Sequence, residues 1–160
     1  MAVTHRYEPS VRWTGNAGSG TSDYRAYLRD HEVHRSGKPV IPGSSDLAFR
    51  GDPSRWNPEE LLVAALAQCH LLWYLHLCAA AGVVVTDYAD TPVGTMAMDA
   101  EGGGGQFTDV LLRPAVTVAD PSMTGKAMDL HGEVGALCFI ARSVGFPVRH
   151  EPTVRAASGG

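Results

Sequence analysis

Residues 61–81 constrain this chain more than any other segment. Over those 21 residues only Gln68, His70 and His76 are strongly polar. Asn57 suits a helix N-cap, and Pro58 suits the first helical position, where its missing N–H would have no partner anyway. Glu60 follows the cap by three residues, so its carboxylate can reach back to the cap N–H. Glu59 and Glu60 together suit the positive end of the helix dipole. Gly82 is a natural stop. The pattern predicts one helix over residues 58–81, ~36 Å long at ~1.5 Å per residue. A helix that is apolar nearly all round has to be covered on most sides. Its length also permits a membrane span. The three polar residues fall mid-segment on different faces, and no basic flank adjoins them. A buried central helix is therefore the reading adopted.

The rest of the composition fits that reading. A chain of 160 residues suits a single domain, here 1–160, with an ordered core over about 3–154 and a loose tail at 155–160. Apolar residues make up 44% and charged residues 19%, enough for a core and too apolar for disorder. The net charge of −4 and the lack of a basic run point away from nucleic acid and anionic membranes. Three cysteines are an odd number, which argues against a secreted disulfide framework. The first residues, Met1-Ala2-Val3-Thr4-His5-Arg6, hold no apolar signal segment, so a cytoplasmic protein is expected.

Around the helix the pattern predicts strands. They fall within 3–13, over 24–33 and near Leu47-Ala48-Phe49, with loops at 14–23 and 50–56. Beyond the helix come strands near 83–85 and 92–99 and a turn at Gly102 to Gly105. A second long strand follows over 107–118, where Pro114 marks an edge or a bulge. These form a hairpin. A helix follows over about 122–137, then a second helical piece to Gly145 and a last strand over 147–154. The order predicts an α+β fold: a curved, mostly antiparallel sheet wrapped around the long helix, with a partner chain covering what remains.

The cysteines are the candidates for chemistry. Cys69 and Cys78 lie nine residues apart on one helix, hence ~900° round it and ~13.5 Å along it. A disulfide needs Cα atoms within about 7 Å, so these two cannot pair. Cys78, between Leu77 and Ala79, reads as core filler. Cys138 is distant in sequence and free to lie beside Cys69. No C-x-x-C is present, and His70 and His76 stand ~240° apart on the helix, so no metal site is expected. His131 and His150 could join Cys138 only through the fold. Cys69 and His70, as helix neighbours, diverge by ~100° and cannot act as a Cys–His dyad. A thiol on an apolar helix needs a cation nearby to ionise. Arg25 and Arg29, four apart in a predicted strand, would point to the same side. A neighbouring acid would orient such an arginine, and Glu59 and Glu60 are the nearest marked acids.

The run Asn57-Pro58-Glu59-Glu60-Leu61-Leu62-Val63-Ala64-Ala65-Leu66-Ala67-Gln68-Cys69 resembles the OsmC/Ohr family of thiol-dependent hydroperoxide reductases. So does the segment from His131-Gly132-Glu133 to Leu137-Cys138-Phe139-Ile140-Ala141-Arg142-Ser143. The order of elements over 3–154 agrees. The resemblance implies a peroxidase without cofactor or metal, with Cys69 as the attacking thiol, Cys138 as the resolving thiol and Glu59 as the motif acid. It also implies an arginine from the early strands, Arg25 in first place and Arg29 in second. The implied fold is an intertwined homodimer with two buried antiparallel helices. The chain departs from the usual pattern in having Phe139 after the second cysteine, where many members have Pro, and a longer loop at 15–23. It therefore looks like a less typical branch.

The implied reaction converts Cys69 to a sulfenic acid, which Cys138 turns into a disulfide, and an external dithiol, of the lipoyl type by family expectation, restores both thiols. Leu66, Leu72, Phe139 and Ile140 would form an apolar pocket favouring organic hydroperoxides. Glu59 and Cys69 stand ten apart, ~15 Å along one straight helix, so a site using both would be shared across the dimer. The alternative is a non-catalytic dimer of the same fold that binds a small apolar ligand.

Overall fold

The computed structural model describes residues 3–158. The chain forms two compact units, one ending at Leu61 and one beginning at Leu62. The first holds β1 (Ser10–Trp13), β2 (His31–His34) and β3 (Ile41–Gly43), paired antiparallel in that order. β2 begins at His31, so of the predicted strand residues 24–27 form turns and bends and 28–30 are irregular. Ala26 N–H closes a turn on the Asp23 carbonyl (3.0 Å), and Leu28 N–H donates to the Gly15 carbonyl (2.9 Å) just past the end of β1. Leu47–Phe49 is a short 3-10 turn rather than a strand, because the Asp46 carboxylate caps it by accepting from Ala48 N–H at 2.7 Å. Arg50, at φ 65°, closes it.

The helix α1 (Pro58–Ala80) spans the boundary and matches the prediction to one residue. Its capping box is complete. Glu60 N–H donates to Asn57 Oδ1 at 2.7 Å, and Asn57 N–H donates to Glu60 Oε2 at 3.2 Å. Gly82, at φ +74°, ends it in the left-handed conformation glycine adopts without strain. Length and composition alone would let α1 cross a membrane. Leu66, His70, Tyr74 and Cys78, one residue per turn, are buried, while Leu72 and Leu75 are exposed. Within one chain the helix is thus covered on one stripe, not on most sides.

The second unit holds β4 (Val85–Asp90), β5 (Val93–Met98), β6 (Gly105–Leu112), β7 (Pro114–Val118), α2 (Thr124–Val134), β8 (Val148–His150) and β9 (Thr153–Ala156). The strands make two three-stranded sheets, β4-β7-β9 and β5-β6-β8. β4–β7 and β5–β6 are antiparallel, but β6–β8 and β7–β9 are parallel. The expected single curved sheet is therefore three sheets, mostly antiparallel as expected, with a parallel edge strand on two of them, inside the expected α+β class. Proline explains the division. Pro92 and Pro152 fall in the joints β4/β5 and β8/β9, and Pro114 opens β7 directly after the β6/β7 joint at Arg113. Each lacks an N–H, so each row has one donor fewer at the level where the sheets divide. Arg113 N–H, at the middle joint, donates to the Asp90 carboxylate instead (2.8 Å). The predicted long strand over 107–118 and the last strand over 147–154 are each split in this way.

The glycine turn joins β5 to β6 as predicted, closed by Asp99 N–H donating to the Gly104 carbonyl at 2.9 Å. Gly94 of β5 lies so close to α1 that a Cβ there would meet Val63 at 2.5 Å. α2 stops at Val134. The predicted second helical piece is a turn and a short 3-10 segment, Ala141–Ser143. Arg155 and Ala156, expected in a loose tail, belong to β9.

Candidate functional site

α1 and the chain just past α2 bring two thiols together. Cys138 N–H donates to the Val134 carbonyl at 2.9 Å, an i→i−4 bond that carries the end of α2 up to the cysteine. Its sulfur accepts from Ala141 N–H at 3.4 Å. Across from it Cys69 packs against the core that contains Cys138, and the two side chains are within hydrogen-bonding reach of each other. Both thiols are free. Cys69 is half-buried and Cys138 is buried, with 2% of its surface exposed. Burial, and after it the neighbouring Cys69 thiol, pushes the Cys138 thiol up to about 11. Cys78 is buried among Tyr74, Val83 and Val116, and burial raises its thiol too. An inert filler is what that environment makes of it.

The first unit presents a second cluster. A cavity of about 330 Å³ is lined by Trp13, Tyr27, Arg29, His31, Phe49 and Glu59, among others. Arg29 is held in place there. Its guanidinium donates to the carbonyls of Tyr27 (2.6 Å) and Tyr24 (2.7 Å) and lies over both tyrosine rings, 4.1 and 4.3 Å from their centroids. Arg25 is exposed on a turn, its N–H donating to the Asp23 carboxylate at 2.8 Å. The two arginines do not share a strand face, since residues 24–30 are not a strand. Arg29, not Arg25, lines a cavity with Glu59.

Of the four apolar residues expected to form a pocket, Leu66 and Ile140 meet in one core cluster and Leu72 and Phe139 do not join them within one chain. Leu66 is fully buried with Val110 and Leu112. Ile140 is half-buried, whereas Leu72 and Phe139 are exposed, Phe139 edge-on to Trp73 at 5.6 Å.

One buried group went unread in the sequence. His70 Nε2 and His131 Nδ1 are 2.9 Å apart, and His131 stacks on Tyr74 at 3.9 Å between ring centroids. The ring of exposed His150 lies 5.5 Å from that of His70. Among the described residues no three His, Cys, Asp or Glu side chains are arranged to hold a metal ion. Burial, then the proximity of other histidines, lowers His70 to about 4 and His131 to about 3. The one available signal was that His70 falls on the same stripe of α1 as Leu66, Tyr74 and Cys78.

A family model described as OsmC-like protein matches residues 51–153, from before the capping box through both cysteines. The chain belongs to the OsmC-like family. Among solved structures, this OsmC-like chain is similar to an OsmC-like protein of unknown function from Vibrio cholerae. Identity is 28%, the TM-score is 0.81, and the match covers 94% of this chain and 100% of that one. It also shares its fold with the organic hydroperoxide resistance protein OsmC of Legionella pneumophila, at 17% identity and TM-score 0.66, covering 94% and 98% of the two chains. A third neighbour is an organic hydroperoxide resistance protein from Elizabethkingia anophelis with thiocyanate bound. There the identity is 15%, the TM-score 0.65 and the coverage 97% and 100%. No curated protein sequence matches the chain.

Proposed function

We propose that this OsmC-like chain is a cysteine peroxidase that reduces organic hydroperoxides through Cys69 and Cys138. The supporting observation is the side-by-side pair of free thiols, one half-buried and one buried. A peroxide can reach only a sulfur with exposed surface, so Cys69 attacks. Its sulfur takes the outer peroxide oxygen, the O–O bond breaks, and the other oxygen leaves as the alcohol. Cys69 is then a sulfenic acid. The Cys138 sulfur attacks the Cys69 sulfur, the S–O bond breaks, and hydroxide leaves as water with the Cys138 proton. An external dithiol reduces the disulfide, and the reducing cytoplasm is where such a cycle belongs. Two of the structural neighbours are named as organic hydroperoxide resistance proteins, which agrees with this choice of substrate.

On this reading Arg29 replaces Arg25 as the arginine that steadies developing negative charge, with Glu59 beside it in the same cavity. Its two carbonyl bonds hold the guanidinium still and leave its other N–H groups for an anion. The working form is a homodimer in which Arg29 and Glu59 of one chain serve the thiols of the other. Two observations favour it: residues 3–61 hold no buried apolar side chain, and Leu72 and Phe139 stand exposed beside the thiol segments.

Thiol titration tests the proposal. One equivalent of cumene hydroperoxide should remove two of the three free thiols, leaving Cys78. Cys69→Ser should abolish the loss, and Cys138→Ser should leave a sulfenic acid on Cys69 that dimedone traps. Arg29→Ala should slow turnover by about 10²-fold, as removal of a charge-stabilising donor does, while Arg25→Ala should change it little. Unchanged thiol counts would refute peroxidase chemistry and favour a binding role.

A further inference from the structure

Two pairs of side chains bridge the same two segments. Cys69 of α1 meets Cys138 just past α2, and His70, one residue on, meets His131 of α2. Tyr74 follows, its hydroxyl donating to the Ala127 carbonyl at 3.0 Å. As α1 runs from 69 to 74, its contacts run back from 138 to 127. The two segments are therefore antiparallel and joined in successive layers, with the histidine layer next to the thiol layer. The i→i−4 bond from Cys138 to Val134 ties the second thiol to the last turn of α2, the turn that carries His131.

The histidine pair is costly. His70 is 4% exposed and His131 1%, and burial strips water from both rings. His131 Nε2 has no hydrogen-bond partner at all. A bare buried acceptor costs less than an unpaired N–H, so the shared hydrogen belongs on His131 Nδ1, donating to His70 Nε2. Two leucines would fill this space at lower cost. What leucines lack is direction: a hydrogen bond fixes the spacing and register of its two segments, and dispersion does so far less. The exposed ring of His150 flanks the pair but makes no hydrogen bond to it, and the three rings do not form a metal site.

We propose that the His70–His131 hydrogen bond is a clasp that holds α1 and the end of α2 at the separation where Cys69 and Cys138 form a disulfide. Both histidines are then positioning residues for the redox step, acting through backbone spacing without touching sulfur. The inference rests on the peroxidase reading only for its role in turnover. The need for a clasp follows from Cys138 itself. Its thiol is pushed up to about 11, so little thiolate exists at neutral pH. The condensation, in which the Cys69 S–O bond breaks and water leaves with the Cys138 proton, then depends on proximity.

The test is redox equilibration of the reduced protein against mixtures of reduced and oxidised glutathione, followed by thiol counting. His131→Phe keeps a buried ring and loses the hydrogen bond. It should lower the equilibrium constant for the Cys69–Cys138 disulfide about tenfold, a potential ~30 mV less negative, and prolong the dimedone-reactive state of Cys69. His131→Asn keeps an N–H donor at the Nδ1 position and should retain most of the wild-type value. His70→Gln against His70→Leu gives the same contrast from the other side, and serves if His131→Phe does not fold. Folded His131→Phe with a constant within twofold of wild type would overturn the clasp, as would equal values for His70→Gln and His70→Leu. Glutathione equilibration needs no peroxide. A wild-type disulfide that forms there but not with organic hydroperoxide would refute the peroxidase reading and leave the clasp standing.

Discussion

Every buried apolar side chain of the described chain lies between Leu66 and Cys138, and none lies in residues 3–61. The second unit is organised as a protein core usually is, with the stripe of α1, the inner faces of β6 and β7, and α2 packed on one another. The first unit is organised by polar contacts, one at a time. Its buried side chains are Ser44 and Asn57. Ser44 Oγ donates to Asp30 (3.2 Å), and Arg55 pairs with the same carboxylate at 3.3 Å. Trp13 Nε1–H donates to the Leu28 carbonyl at 2.9 Å, with the indole ring edge-on to Tyr27. Apolar burial is spread over many side chains and tolerates substitution of any one of them by degrees. A set of directed contacts loses its geometry when one partner goes. A cavity built on the second kind of scaffold, such as the one lined by Arg29, is thus more exposed to single changes than the thiol pair.

Three experiments would break or sharpen this contrast. The largest effect belongs to the core. Leu66→Ala removes a fully buried side chain from the cluster it forms with Val110 and Leu112 and should cost about 2–5 kcal/mol in urea unfolding. A loss below ~1 kcal/mol would mean that the second unit is less tightly packed than it looks.

The histidine pair is the polar exception inside that core, and pH addresses it. His70 and His131 are lowered to about 4 and about 3, against ~6.5 when unfolded. As pH falls, the unfolded chain takes up protons first. The stability that depends on the neutral pair is therefore complete above ~6.5 and declines as pH drops toward 4. Urea titrations should show a loss of about 4 kcal/mol between pH ~7 and ~5, nearly half of it from each histidine, and His131→Phe should roughly halve that slope. Equal slopes in the two proteins would assign the acid sensitivity elsewhere.

The smallest effect is local. Asp30→Ala leaves Ser44 and Arg55 without their shared acceptor and should cost about 1–2 kcal/mol. Hydrogen exchange should rise around residues 42–56 and stay unchanged in α2 and β6. Exchange rising equally in both units would show that they unfold as one.

The parts legible in the sequence share a physical reason. The capping box, α1 and its glycine stop depend on residues within a few positions of one another, so Asn57, Pro58, Glu60 and Gly82 sufficed to place the helix. The Gly102 to Gly105 turn was readable for the same reason. The pairing of β8 with β6 and of β9 with β7 was not, because parallel pairing joins residues some 40 positions apart with no local signature. The level break at three prolines was equally hidden. Each proline was visible alone, but that they share a row is a property of the register. Residues 24–30 look like a strand by composition, but Asp23 closes a turn on Ala26 and the Arg29 side chain takes the Tyr24 and Tyr27 carbonyls, so the strand begins only at His31.

By itself the sequence determined a long capped helix, a thiol at its middle, and the exclusion of Cys78 as that thiol's intrachain partner, since helix geometry is a local rule. Family resemblance nominated Cys138, and the fold brought it beside Cys69. Only the tertiary structure decided between Arg25 and Arg29 as the cavity residue and joined His70 to His131. Those outcomes depend on where segments far apart in the chain meet, and no spacing along a single element encodes that.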